Sequence, residues 1–170
     1  MPNWCSNRVT FSCQDSEEAL EQLKEIKELF LSDNIFQKIL PPPDWKNLPL
    51  SEEDLEYLGR KRGEVGELPV EKQYFHPNGN PIESKTLVFE STGVHDDRWY
   101  NWQVENWGTK WDVNRDHIEW GDDDEDYCVI HFDTAWSPPE EIAAELKEKY
   151  DRVSIQWFYD EPGMEFAGYL

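Results

Sequence analysis

The spacing of apolar positions changes along this chain, and each change marks an element. From Asn7 to Cys13 polar and apolar residues alternate, which predicts a half-buried strand. Leu20, Leu23, Ile26, Leu29 and Phe30 then recur at three- and four-residue steps, the spacing of one helix face. Asp15 or Ser16 suits the cap of this helix, Glu17 and Glu18 suit its first turn, and it should end near Ser32–Asn34.

From Ile35 to about Lys110 the pattern is irregular. Ile39-Leu40-Pro41-Pro42-Pro43 should be extended, because a residue before proline avoids the helical region. Ser51–Leu58 reads as a short helix and Gly59–Pro69 as a charged loop. His76–Pro81 is dense in turn residues, and Lys85–Glu90 suits a short strand. Asp96–Trp107 reads as a helix with Trp99, Trp102 and Asn106 on one face and Tyr100, Val104 and Trp107 on the next, stopped by Gly108.

Regular pattern returns near the end. A strand is expected over Asn114–Glu119, a hairpin turn over the acidic run Gly121–Asp126, and a second strand over Tyr127–Asp133. Ser137, Pro138 and Glu140 spell a helix start with a capping box, and Ile142, Ala143, Leu146 and Tyr150 give that helix an apolar face. Arg152–Tyr159 alternates as a strand, and Met164–Leu170 adds a short edge strand. The order is β–α–insertion–β–β–α–β, the split βαβ arrangement of an α+β, ferredoxin-like sandwich: an antiparallel sheet with two helices on one face. A chain of 170 residues makes one domain on this reading, with its core at 4–34 plus 111–170 and a long insertion at 35–110, between the first helix and the second strand.

Charge changes the picture most. The net charge is −21, and Gly121–Leu170 alone holds 14 acids against 3 bases. Such a surface repels nucleic acid and anionic membrane, so neither is expected as a direct partner; a protein with a basic surface is. The run Asp122, Asp123, Asp124, Glu125 and Asp126, with Glu140 and Glu141, is the candidate partner-binding surface. A solvated hairpin tip is the plain alternative, and the run lacks the ligand spacing of a calcium loop. Three cysteines, no basic-then-apolar leader and no long apolar run point to a cytoplasmic protein without a disulfide framework.

Aromatic residues supply the second candidate. Trp99, Trp102, Asn106, Trp107, Lys110, Trp111 and Trp136 could line a ligand pocket, with Asn106 and Lys110 orienting the ligand; helical spacing fits core packing equally well. Arg8 suits an ion pair with Asp133. The four histidines are far apart in sequence and match no metal motif, and no phosphate loop or hydrolase elbow is present, so no catalytic residue, metal or cofactor is assigned.

Several strings are familiar. Met1–Arg8 (MPNWCSNR), Trp99–Asp112 (WYNWQVENWGTKWD) and Phe132–Pro139 (FDTAWSPP), with Gly163, Phe166 and Gly168, resemble the YubB/Api-type ferredoxin-like family, uncharacterised proteins of phages, plasmids and integrated mobile elements. The acidic hairpin and the loop Gly59–Pro69 are not part of that pattern. The resemblance implies the fold and a mobile-element setting, and no activity. Two functions are therefore expected as alternatives. One is a non-enzymatic accessory protein that binds a host defence or nucleic-acid-handling protein through an acidic, nucleic-acid-mimicking surface. The other is a nucleotide or metabolite binder, or an enzyme, built on a Trp-lined pocket.

Overall fold

A computed structural model describes residues 3–50, 67–82, 85–91 and 96–170. Two compact units emerge: Met1–Pro42 with Trp102–Leu170, and Pro43–Asn101.

The first unit is built on a five-stranded antiparallel sheet. Its strands are β1 (Trp4–Cys13), β4 (Glu119–Asp124), β5 (Tyr127–Ala135), β6 (Val153–Glu161) and β7 (Phe166–Tyr169), in the order β4-β5-β1-β6-β7. Helix α1 (Glu17–Phe30) follows β1, and α4 (Glu140–Lys149) links β5 to β6. The first four strands of the order, with α1 and α4 as crossovers on one face, make the ferredoxin-like fold. β7 extends it by one edge.

Strict alternation decides which side of β1 is core. Cys5, Asn7, Val9 and Phe11 are buried under the helices, whereas Trp4, Ser6 and Arg8 face out. Ser16 caps α1, its hydroxyl accepting the Ala19 N–H at 3.3 Å, and Ala19, Leu23, Ile26 and Phe30 fill the buried face. Rings knit the layers together. Phe11 meets Phe30 at 5.6 Å between centroids, Phe30 meets Phe132 at 6.2 Å, and Phe132 meets Trp157 edge-on at 5.5 Å. The polar side chain of Asn7 is buried in this core and paired. Asn7 donates to the Cys5 carbonyl at 3.0 Å and to Thr134 Oγ1 at 2.9 Å, and accepts the Trp157 indole N–H at 3.0 Å.

Both ends of 35–110 cluster with the first unit. The first residues of this insertion form a helix, α2 (Ile35–Ile39), whose Ile35 and Phe36 are fully buried in the same core as α1 and α4. Ile39 is thus helical rather than extended, and the turn to extended backbone comes at Leu40, the residue before Pro41 (φ −132°, ψ 91°). At the far end Trp107 is buried: its ring lies 6.0 Å from Phe36, and its indole N–H donates to the Leu40 carbonyl at 2.9 Å. Burial of these apolar groups draws 35–42 and 102–110 into the first unit.

The second unit holds a two-stranded ribbon of β2 (Glu67–Lys72) and β3 (Thr86–Ser91). Glu67–Pro69 are therefore strand, not loop; Pro69 is tolerated because both strands of a pair are edges. The turn residues behave as expected: Gly79 takes φ +83° and the His76 N–H donates to the Asn80 carbonyl at 2.8 Å. The helix expected over Ser51–Leu58, and the loop residues 59–66, lie outside the described residues. Arg98 is the hub of this unit. It pairs with Asp96 at 2.8 Å, donates to the carbonyls of Pro49 (3.1 Å) and Leu48 (2.9 Å), and lies over the Trp45 ring at 5.4 Å. It opens helix α3 (Arg98–Trp107), which begins in the second unit and ends in the first.

Two local expectations are corrected. Asn114–Ile118 is not strand: the Arg115 N–H donates to the Ser32 carbonyl at 3.1 Å and Arg115–His117 forms a single 3-10 turn, so β4 starts at Glu119 and runs into the acids. Ser137 does not cap α4. Its hydroxyl donates to the Gly108 carbonyl, left open by the end of α3, and Pro139 occupies the cap position without a side-chain bond.

Candidate functional site

The acidic run is an edge strand with a two-residue turn. Asp122, Asp123 and Asp124 belong to β4, and Glu125-Asp126 turns into β5. Between Trp120 and Asp123 the strand carries one residue more than its partner, a bulge. Charge and a bulge on an open strand discourage pairing with a foreign strand, so part of this acidity protects the edge. All five acids are exposed, and among the described residues only Asp123 is ion-paired, to Lys27 of α1 at 2.6 Å.

The other two expected acids are elsewhere. Glu140 and Glu141 open α4, beyond the opposite end of β5, and the eight steps along that nine-residue strand, at about 3.3 Å each, put roughly 26 Å between its ends. The hairpin instead lies beside α1, where Glu17, Leu20, Glu21, Lys24 and Lys27 form a shallow groove with Glu125. Glu18, Glu25 and Glu28 are also exposed on that helix. The acidic surface therefore joins the hairpin to α1.

The Trp candidates fall in both units. Trp107 is core, and Trp102 packs against it edge-on at 5.7 Å. Trp99 meets Tyr100 in the second unit at 5.9 Å. Asn106 donates to the Trp102 carbonyl at 2.9 Å within α3. Trp136 is 43% exposed, in left-handed backbone at φ +74°, its N–H donated to the Asn3 carbonyl at 2.9 Å. Of the seven, Trp111 lines a cleft of the first unit.

That cleft, of about 590 Å³, is enclosed by Trp4, Trp111, Asp112, His117, Asp133, Thr134 and Ala135. Local chemistry presents Trp111 there. Gly108 ends α3 at φ +79°, and a β-carbon on it would come within 2.8 Å of the Pro138 carbonyl oxygen, so only glycine fits. Thr109, buried, donates its hydroxyl to the Ala135 carbonyl at 2.9 Å, fixing the loop to the end of β5. Asp112 fixes the other side: its carboxylate accepts the N–H groups of Phe36 and Val113, both at 2.7 Å, and of Gln37 at 3.1 Å. Asp112 thereby serves the start of α2, and its burial pushes the carboxyl above the ordinary carboxylate value, against the pull of those three donors and of Lys38. Between these anchors Trp111 stands 40% exposed beside Trp4, itself 50% exposed, with ring centroids 5.9 Å apart and planes tilted by 40°. The Lys110 ammonium lies 4.7 Å from the Trp111 ring centroid.

Trp4, Asp133 and His117 were not grouped by sequence reasoning. The register supplies the missing link: Trp4 stands opposite Ala135, and Asp133 opposite Ser6. Arg8 stands opposite His131, and no Arg8–Asp133 ion pair forms among the described residues. No group of three or more His, Cys, Asp or Glu is placed to hold a metal among the described residues. Burial pushes the Cys5 and Cys128 thiols up to about 11, so neither is a thiolate near neutrality. Among the described residues, no helix is long and apolar enough to cross a membrane.

No curated protein matches the chain. Over 99% of its length it aligns with 93% of the crystal structure of protein api92 from Yersinia pseudotuberculosis, at 14% identity and a TM-score of 0.46. Residues 106–170, which hold the cleft loop and all of β4, β5, α4, β6 and β7, match the family model described as the ferredoxin-like domain in Api92-like protein.

Proposed function

We propose that this chain is a non-enzymatic accessory protein of a phage or mobile element, acting in the host cytoplasm by binding a protein with a basic surface. The observation that carries this reading is the run of five exposed acids at the end of an edge hairpin, of which Asp123 is the one ion-paired among the described residues, alongside the acids of α1. Exposed acids make the local potential negative, speed encounter with a basic groove and imitate phosphate charge. Host defence and nucleic-acid-handling proteins present such grooves. The mobile-element setting rests on the sequence resemblance.

The experiment is capture from host lysate at low and high salt with three baits. These are the native chain, a hairpin variant (Asp122→Asn, Asp123→Asn, Asp124→Asn, Glu125→Gln, Asp126→Asn) and a variant with Glu140→Gln and Glu141→Gln. The native bait and the α4 variant should hold one salt-sensitive partner that the hairpin variant loses. Equal capture by all three baits contradicts the reading.

A further inference from the structure

The cleft at the other end of β5 has a chemistry of its own. Two indoles are left 50% and 40% exposed in a protein that buries Trp107 and Trp157 almost completely. Side by side, they form an apolar patch rimmed by polar groups, the mark of a recognition site. Their neighbours are acidic. Asp133 is an exposed carboxylate in the cleft wall, and Asp112 is a second, half-buried one. Asp160 lies across Ser6 from Asp133, since Ser6 pairs with both, and so adds negative charge on the same side of the sheet. Electron-rich ring faces beside carboxylates select a cation. The chain already contains an example in the Lys110 ammonium 4.7 Å from the Trp111 ring, and Lys110 is not among the residues lining the cleft.

We propose that the Trp4–Trp111 cleft receives an arginine side chain of a partner polypeptide. A guanidinium is planar and weakly hydrated, so it stacks on an indole while its fork of N–H groups reaches a carboxylate; a compact lysine ammonium does only part of this. Asp133 is the carboxylate available, because the Asp112 oxygens are occupied by the backbone donors of α2 and Val113. The volume of about 590 Å³ lies within the range of about 300–1,000 Å³ typical of binding sites, room for the arginine with its flanking backbone. This site is separate from the acidic hairpin and stands whether or not the hairpin binds a partner.

The test follows the indole N–H signals of Trp4 and Trp111 in ¹⁵N-labelled protein. They are titrated with a capped Gly-Arg-Gly-Arg-Gly peptide and with its citrulline counterpart, which keeps the shape and loses the charge. Both indole signals should move and saturate with the arginine peptide, and citrulline should bind about tenfold more weakly or worse. Trp4→Ala and Asp133→Asn should each weaken binding by about three- to tenfold, and the hairpin variant should change it by less than about twofold. Equal binding of the citrulline peptide overturns the proposal. So does a titration in which other signals move while these two stay still, or one that neither Trp4→Ala nor Asp133→Asn weakens.

Discussion

The two ends of β5 solve opposite problems. At its start, beside Asp124 and Tyr127, the chain accumulates charge on an edge strand, and the neighbouring groove is shallow and mixed in sign. At its end, beside Ala135, charge is sparser, but backbone and side-chain hydrogen bonds hold two indoles out of the core around a real cleft. The first end acts at a distance, through a field that salt screens. The second acts by contact, through groups whose positions are fixed. Acids need no precise placement to attract, whereas a cleft fails if its loop shifts by an ångström.

The largest effect should separate structural tryptophans from spare ones. Trp107→Ala or Trp157→Ala removes a fully buried ring and a paired indole N–H, and should cost about 3–5 kcal/mol. Trp4→Ala or Trp111→Ala should cost about 1 kcal/mol or less. Urea unfolding of the four variants checks this, and equal losses would erase the distinction between core and cleft. Next, Asn7→Ala should cost about 2–3 kcal/mol, since it orphans the buried Trp157 N–H and part of the Thr134 and Cys5 partners at the cleft end.

Gly108→Ala combines a left-handed backbone with a contact of 2.8 Å to a carbonyl oxygen and should cost about 1–3 kcal/mol. It should also weaken the arginine peptide, because the Trp111 loop moves. A destabilised variant that binds normally would separate Gly108 from the cleft.

A pH effect bears on both ends. Cys5 lies at the cleft end and Cys128 at the hairpin end, each thiol raised from 9.0 to about 11. The unfolded chain ionises these thiols first, so stability is full below pH 9 and falls as pH rises towards 11, by an amount on the order of 2 kcal/mol per thiol. Cys5→Ala and Cys128→Ala should each flatten that alkaline loss. The smallest effect on stability belongs to the hairpin variant, within about 0.5 kcal/mol by thermal unfolding, since its acids are exposed and mostly unpaired.

Alternation and helical spacing were enough to read β1, α1, α4 and β6, because each buries one regular face, and the apolar run of β5 was enough to read a strand buried in part on both faces. Their order alone implied the ferredoxin-like arrangement. Reading failed where local propensity lost to tertiary contacts. Ile35 and Phe36 look like the irregular start of an insertion, yet Asp112, 76 residues after Phe36, supplies the acceptor that starts their helix. Ser137 has the sequence of a cap, but the Gly108 carbonyl takes its hydroxyl. The candidate sites fared similarly. That the hairpin is acidic is visible in the sequence, whereas its pairing with α1 rather than with Glu140 and Glu141 follows from strand order. Trp4 and Trp111 are 107 positions apart, and only the register of β1 on β5 and the Thr109–Ala135 bond make them neighbours.

The most direct test of the charge-based account is the association rate with the captured basic partner, measured across salt for the native chain and the hairpin variant. The native chain should associate faster at low salt by about tenfold or more, with a steeper fall as salt rises, and the two should converge at high salt. Parallel salt dependences with equal rates would show that the hairpin acids do not steer binding, and would contradict the account.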